Sequence, residues 1–258
     1  MEKEYLKFDN SDVFEGMPSI SAVIKAIEAN KSNRRIIRVL IDVNKKRSKS
    51  KEISFLVAKS PQLDFAVEYV DSAIIDSIAV GNTHGGILAE CTERTIQNLS
   101  DIKINICGVY YLLDGIEDPY NFGNALRSLY ASGADGIILG ERNWLGVAGT
   151  VARASAGASE LLDCYISNPT DAVQIFKALG YRVVCAGIRD SVSLFEADLS
   201  KPLLIILGGE KRGISRTVLD MSDEIIRIDY GVDFRGSLSA SASASVFAFE
   251  VLRYNMKK

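Results

Sequence analysis

Apolar residues follow two alternating patterns along this chain, short continuous runs and stretches with helical spacing. Runs such as 203–207 are typical of strands buried on both faces of a sheet. In 19–30 the apolar residues recur every three or four positions, as they do on one face of a helix. The predicted strands are 36–43, 65–70, 87–91, 109–113, 136–139, 161–165, 181–186, 203–207 and 224–228, and the predicted helices are 19–30, 52–59, 72–79, 121–132, 147–159, 172–179 and 241–253. This alternation predicts an α/β protein.

Two segments interrupt the alternation. Residues 1–17 resemble a polar lead-in, for which no strand or helix is predicted. Residues 93–105 are polar with little periodicity, and they separate two α/β series. We therefore predict two domains, 1–95 and 106–258.

Composition restricts the class of protein. Of the 258 residues 47% are hydrophobic and 24% are charged, which is ordinary for a globular protein. No apolar run approaches the roughly 18 residues of a membrane span, and the acidic start does not resemble a signal peptide. The four cysteines are far apart and there is one histidine, so we expect no zinc or other metal site. A reduced, cytoplasmic protein is expected.

Charge is unevenly distributed. The net charge is −3, which argues against a generally basic nucleic-acid binder. From Lys25 to Lys59, however, eleven basic residues face three acidic ones, a local charge of about +8. This window is either a solvated face or a surface that contacts phosphates. We expect Arg38 to point outward from its strand and the loop 44–51 to be mobile until a ligand binds.

A glycine-rich loop, 208–213 (GGEKRG), directly follows the strand 203–207. Glycine permits close backbone approach, so this loop predicts a ligand site at the carboxyl ends of parallel strands. The loop nearly matches a phosphate loop, but Ile214 stands where the lysine is needed. This argues against nucleotide hydrolysis, while a glycine turn without a ligand remains an alternative.

A second polar segment, 121–127 (NFGNALR), begins a predicted helix. Asn121 is a favourable N-cap residue. Arg127 is either a surface salt-bridge residue or a side chain that reaches toward an anion at the helix N-terminus.

These segments resemble the motifs of one known family. Residues 121–127 match the NxGxxxR first motif of the SpoU/TrmH family of RNA ribose 2′-O-methyltransferases, and 208–213 resemble its second motif, GxExxG. Ile228 and 236–241 resemble the third motif, and 81–86 resemble a loop of the substrate-binding domain often fused to it. The third motif departs from the family pattern at Asp229 and Ser239, and its loop is slightly longer.

The resemblance implies a fold and an activity. The family joins a small N-terminal α/β substrate-binding domain to a doubly wound, mostly parallel sheet with a deep trefoil knot. It binds S-adenosyl-L-methionine in the knot and methylates a ribose 2′-hydroxyl of RNA. The N-terminal domain favours ribosomal RNA over tRNA. A homodimer through the C-terminal domain is expected, without membrane or metal. The altered third motif motivates an alternative, an RNA-binding protein of this fold without methyl transfer.

The resemblance also assigns residues. Arg127 would clamp a phosphate and stabilise the developing alkoxide, Asn121 would orient Arg127 or the ribose, and Glu210 would accept hydrogen bonds. Ser237 and Ser239 are weaker catalytic candidates. The cofactor-binding residues would be Ala186, Gly187, Leu207, Gly208, Ile228 and Leu238. The RNA-binding residues would be Arg34, Arg35, Arg38, Lys45, Lys46, Arg47, Lys49 and Lys51, together with His84, which either stabilises its loop or contacts RNA.

Overall fold

A computed structural model of the chain describes residues 11–81, 83–140 and 147–256. The strands are β1 (Ser11–Glu15), β2 (Ile36–Asp42), β3 (Ala66–Val70), β4 (Ile87–Thr92), β5 (Gln97–Asn98), β6 (Val109–Asp114), β7 (Gly136–Leu139), β8 (Cys164–Ile166), β9 (Arg182–Ala186), β10 (Val192–Ser193), β11 (Leu203–Gly208) and β12 (Glu224–Arg227). The helices are α1 (Gly16–Glu28), α2 (Ser50–Leu63), α3 (Ser72–Ile78), α4 (Pro119–Ala131), α5 (Ala148–Ala154), α6 (Ala158–Leu161), α7 (Pro169–Ala178), α8 (Arg216–Met221) and α9 (Ala240–Met256). No helix in these ranges is long and apolar enough to cross a bilayer.

By its contacts the chain divides into two compact units. The first contains Met1–Thr95 and Trp144–Leu161, and the second contains Ile96–Asn143 and Leu162–Lys258. The predicted domains, 1–95 and 106–258, stay a prediction. The contacts assign one segment of the predicted second domain, 144–161, to the first unit. Helix α5 packs closely on β1, because a Cβ on Gly149 would lie 1.8 Å from the carbonyl oxygen of Val13.

The first unit is built on a four-stranded sheet in the order β1-β4-β2-β3. Strands β1 and β2 both run antiparallel to β4, and β2 runs parallel to β3. Strand β1 was missed in the polar lead-in. Its apolar residues Val13 and Phe14 are buried, but so are Asp12 and Glu15, which flank them. Because both carboxylates pair with buried or half-buried arginines, β1 lacks the alternation of a half-exposed strand.

The segment after β2 also differs from its prediction. Residues Val43–Lys45 form a 3-10 turn, and the side chain of Asp42 accepts a hydrogen bond from Asn44 N at 2.8 Å. Helix α2 begins at Ser50. The predicted loop 44–51 is thus a capped turn followed by the first helical residues.

The second unit contains an eight-stranded, entirely parallel sheet in the order β10-β12-β9-β11-β6-β7-β8-β5. From β6 the chain first builds outward through β7 and β8, and then returns to the other side for β9, β11 and β12. The predicted α/β class with a parallel, doubly wound sheet is confirmed. The chain adds strands first on one side of β6 and then on the other, beginning with β9 and β11. At this switch between β6 and β11, Gly208 lies opposite Asp114. Such a switch point favours ligand binding beyond the carboxyl ends of the strands.

Helix α4 begins two residues earlier than predicted. Its N-cap is Asp118, whose side chain accepts a hydrogen bond from Asn121 N at 2.7 Å, and Pro119 occupies the first helical position. The prediction of Asn121 as the N-cap was therefore wrong. Its side chain lies inside the first turn, where it is available for contacts with other elements.

Candidate active site

A cavity of about 700 Å³ opens at the carboxyl ends of the central strands in the second unit. The residues predicted to bind a cofactor all line it, namely Ala186, Gly187, Leu207, Gly208, Ile228 and Leu238. The volume falls in the usual range for small-ligand sites, about 300–1,000 Å³. The structure thus brings the six residues together, and their role in binding stays a prediction.

The glycine loop forms one wall of this cavity through its backbone. Gly209 N donates to Asp114 O at 2.7 Å, and Gly213 N donates to Gly209 O at 3.0 Å. A Cβ on Gly209 would lie 1.9 Å from Gly115 O, so no other residue fits without a backbone shift. Gly213 has φ of +62°, a left-handed conformation that favours glycine. The loop therefore presents its backbone directly to the cavity.

Beside the cavity, Asn121 and Glu210 meet in a hydrogen-bonded group that we call the polar network. Asn121 Nδ2 donates to Glu210 Oε1 at 3.1 Å, and Ser241 Oγ donates to Asn121 Oδ1 at 3.0 Å. Glu210 Oε1 also accepts from Ala240 N at 3.2 Å, at the start of α9. The amide of Asn121 is thus held at both ends, with its nitrogen toward the carboxylate and its oxygen toward the hydroxyl. Ser241 was not predicted, although it lies within the third-motif segment.

The third-motif serines have different roles. Ser239 Oγ accepts a hydrogen bond from Ala242 N at 3.2 Å, which is the contact of a helix N-cap. Ser237 is exposed and lines the cavity, and it makes no hydrogen bond to any other described residue. Asp229, which stands where the family has proline, accepts from Arg227 Nε at 2.8 Å. The pKa of Asp229 is lowered mainly by a hydrogen bond from Ser193 and to a smaller extent by the interaction with Arg227.

Arg127 is exposed on α4 and stands outside the polar network. Among the described residues its side chain makes no hydrogen bond or ion pair. The structure therefore joins Asn121 to Glu210, but it does not join either of them to Arg127.

Two of the predicted RNA-binding arginines are buried in the first unit. The side chain of Arg34 is only 1% exposed, and its guanidinium contacts Asp12 Oδ2 at 2.5 Å and Glu160 Oε2 at 3.1 Å. Burial acts to lower the pKa of Arg34, but the two carboxylates outweigh it and raise that pKa. Arg38 is buried against Glu90, with 2.6 Å between Nε and Oε2. The expectation that Arg38 points outward was wrong. The burial of both side chains argues against the predicted RNA contacts, because these charges neutralise buried carboxylates.

All the other predicted RNA-binding residues except Arg35 belong to a group that we call the basic turn, residues 45–51 with His84. The stem of Lys45 lies over Gly86, where an added Cβ would be 2.7 Å from Cγ, and Lys49 Cε lies 3.9 Å from the equivalent point on Gly85. His84 Nδ1 accepts from Gly86 N at 3.1 Å, so the histidine stabilises its own loop. Lys46 Nζ lies 4.2 Å from the ring centroid of Tyr69, an exposed aromatic residue that the sequence analysis missed.

Arg35 is exposed but lies apart from the basic turn along β2. It immediately precedes the strand, whereas the basic turn follows the opposite end. The seven-residue strand separates them by roughly 20 Å at about 3.3 Å per residue. The basic window of the sequence is therefore not one surface.

Comparison with known proteins identifies the family. The family model described as "SpoU rRNA Methylase family" matches residues 108–249, more than half of the chain. This chain is a member of the SpoU rRNA methylase family. A second model, "RNA 2'-O ribose methyltransferase substrate binding", matches residues 22–97.

Individual relatives agree with this membership. A putative TrmH family tRNA/rRNA methyltransferase of Staphylococcus saprophyticus is 31% identical over 88% of this chain and 91% of its own. A 23S rRNA (guanosine-2'-O-)-methyltransferase RlmB of Blochmanniella floridana is 24% identical over 94% of this chain and 95% of its own. The crystal structure of an AdoMet-bound rRNA methyltransferase from Sinorhizobium meliloti has a TM-score of 0.77, with 23% identity, over 95% of this chain and 88% of that one.

Membership in the SpoU family confirms the predicted class, an RNA ribose 2′-O-methyltransferase that uses S-adenosylmethionine. The cavity fits this cofactor in two respects. Its volume suits a ligand of that size, and its walls combine aliphatic side chains with the exposed backbone of the glycine loop. The aliphatic side chains are Leu207, Ile226, Ile228 and Leu238.

Proposed function

We propose that this protein methylates a ribose 2′-hydroxyl of ribosomal RNA, with the polar network and Arg127 as its catalytic groups. The observation that carries this proposal is the contact between Asn121 and Glu210, 89 residues apart in the chain, beside a cavity of suitable size. When bound, S-adenosylmethionine supplies an electrophilic methyl group on a sulfonium. A ribose hydroxyl is a weak nucleophile, so the protein must orient it and stabilise the charge that develops on its oxygen.

Arg127 is suited to the stabilising role. Its exposed guanidinium is free of partners among the described residues and can donate to a phosphate or to the developing alkoxide. It does not act as a base, because arginine stays protonated in proteins. Asn121, held at both ends of its amide, would position the ribose. Glu210 fixes that amide and the start of α9 together.

Replacement of Arg127 by alanine tests this assignment. We expect the variant to lose at least about 100-fold in the rate of methyl transfer, as when an oxyanion donor is removed. Its affinity for S-adenosylmethionine should be unchanged, because Arg127 does not line the cavity. The rate is measured by transfer of a tritiated methyl group to ribosomal RNA, and the affinity by calorimetry. Turnover near that of the parent protein would refute the role of Arg127.

We propose ribosomal RNA rather than tRNA as the substrate, and the cytoplasm as the location of the enzyme. Support comes from the relative named as a 23S rRNA methyltransferase, which aligns with 94% of this chain and so with both units. The basic turn would grip this RNA. Its lysines and arginine are exposed or half-exposed, unlike Arg34 and Arg38, and Lys45 and Lys49 lie against the loop that holds His84.

The salt dependence of RNA binding tests whether the basic turn binds the RNA. Replacing Lys45, Lys46, Arg47, Lys49 and Lys51 by glutamine should weaken RNA binding and flatten the slope of affinity against salt, because fewer counterions are released. The matched control is Arg35→Gln, an exposed arginine beyond the other end of β2. If the slope of RNA affinity against salt is unaltered in the five-fold variant, the basic turn is a solvated face that does not bind RNA. Transfer to tRNA but not to ribosomal RNA would overturn the choice of substrate.

We further propose that the second unit has the trefoil knot of its family and forms a homodimer. Apolar side chains on α9 remain open to solvent, with Phe249 48% and Met256 76% exposed. A groove of about 190 Å³ next to them is lined by Val251 and Leu252 of α9 and by residues that follow α4. A two-fold interface would cover this face. Light scattering should give about twice the 28.2 kDa of one chain, and a fully active monomer would refute the dimer.

A further inference from the structure

Two aromatic rings stand at the solvent side of the cofactor cavity. Tyr230 and Phe234 both line the cavity and are 36% and 51% exposed. Their ring centroids are 5.5 Å apart with an interplanar angle of 66°, an edge-on arrangement. We call them the aromatic pair. They lie in the third-motif loop, which is slightly longer than the family pattern according to the resemblance.

The loop holds this pair in place by several contacts. The hydroxyl oxygen of Tyr230 accepts a hydrogen bond from Leu238 N at 3.2 Å. The ring of Phe234 lies against Gly236, where an added Cβ would be 2.5 Å from Cζ. At the base of the loop, Arg227 and Asp229 form an ion pair. The rings are therefore pre-organised, so a ligand that binds them need not order the loop first.

We propose that the aromatic pair binds a nucleobase of the substrate RNA, which stacks on Phe234 next to the ribose to be methylated. Single-stranded RNA is commonly recognised by stacking of unpaired bases on aromatic side chains. The inner walls of the cavity already offer aliphatic contact to a cofactor, whereas the pair faces solvent, from which the RNA approaches. This proposal rests on the proposed function. It assigns to the pair the binding of an unpaired base, without preference among the four bases.

The test compares Phe234→Ala with Phe234→Trp, which retains a stacking surface. The control is Phe195→Ala, which removes an aromatic residue of the same unit that is 60% exposed and does not line the cavity. Kinetics of tritiated methyl transfer are measured on unmodified ribosomal RNA transcribed in vitro, and S-adenosylmethionine affinity is measured by calorimetry. We expect Phe234→Ala to raise KM for RNA by about 5- to 150-fold, with little change in kcat. Phe234→Trp and Phe195→Ala should both keep the parent KM.

A second variant moves the ring without removing it. The Cβ of Gly236→Ala would displace Phe234, and because only a flexible side chain must move, the fold should tolerate it. This variant should also raise KM for RNA. An unchanged KM in Phe234→Ala, or a loss confined to S-adenosylmethionine affinity, would overturn the proposal. If the parent protein itself transfers no methyl group to RNA, it is the proposed function that fails.

Discussion

Replacement of Arg34 by methionine should destabilise the first unit severely, while leaving the side chains of the basic turn in place. The guanidinium contacts Asp12, Glu160 and the carbonyl oxygen of Thr92, at 2.5, 3.1 and 2.6 Å. The side chains of Asp12 and Glu160 are only 6% and 3% exposed. Methionine fills a similar volume but leaves both carboxylates buried without their cation. Removing one partner of a buried ion pair typically costs about 3–5 kcal/mol in the free energy of unfolding.

Arg35→Met is the matched control, because it removes the neighbouring arginine, whose side chain is exposed. Surface substitutions of this kind usually change stability by less than about 0.5 kcal/mol. Unfolding in urea is followed by circular dichroism, and hydrogen exchange of β1 and β4 reports on the first unit itself. Equal stability of the two variants, with RNA affinity lost only in Arg34→Met, would refute the structural role and restore Arg34 as an RNA contact.

The pH dependence gives a second readout for the same variant. Burial raises the pKa of Asp12, and Arg34 acts in the opposite direction. Without Arg34 that pKa should rise further above its value in the unfolded chain. A carboxyl whose folded pKa is raised contributes stability below its unfolded pKa, and this contribution is lost as the pH rises through the folded pKa. The deficit of Arg34→Met relative to the parent should therefore be larger at about pH 7.5 than at about pH 5.

Three further predictions follow from single contacts. Ser241→Ala should lower kcat about tenfold without changing S-adenosylmethionine affinity, because Asn121 loses the hydrogen bond that fixes its amide. Ser241→Thr should restore kcat, and the control is Ser245→Ala, which loses hydrogen bonds to Ser128 and to the backbone carbonyl of Ser241 but none to Asn121. Gly209→Ala should weaken S-adenosylmethionine binding in calorimetry, since its Cβ meets the backbone of Gly115, whereas Gly231→Ala, with open space around it, should not. Burial acts to raise the pKa of Asp223, but hydrogen bonds from Lys177 and Val183 N outweigh it and lower that pKa. The stability that Asp223 contributes is therefore lost as the pH falls below about 4, and Asp223→Asn should show a shallower acid transition in circular dichroism.

The sequence was most informative where one physical constraint acts alone. The run 203–207 is buried on both faces and is apolar throughout, so its position in the sheet followed directly. Glycines 208, 209 and 213 indicated a close backbone approach that the structure contains. The knot and the cofactor came only from the family resemblance, because hydrophobic periodicity does not record how a chain is threaded.

The predictions from sequence failed where charged residues are buried in the interior. Counting basic residues placed Arg34 and Arg38 on an RNA surface, but their partners Glu160 and Glu90 lie 126 and 52 positions away. No local pattern reveals such a pairing. The same pairing concealed β1, since Asp12 is buried like its apolar neighbours. Likewise, the motifs supplied Asn121 and Glu210, but their contact is a property of the folded chain.

The structure also shows how the third motif can differ at Ser239 while the polar network is present. Asparagine and serine are both favourable N-cap residues, and Ser239 still caps α9 through Ala242 N. The amide of Asn121 does not depend on residue 239 directly, because its oxygen is held by Ser241 and its nitrogen by Glu210. Ser239 Oγ lies 3.0 Å from Ser241 Oγ, so the substitution is coupled to the polar network through one hydroxyl. A change at 239 therefore leaves the carboxylate–amide contact in place, which favours an active enzyme over an inactive RNA-binding protein of the same fold.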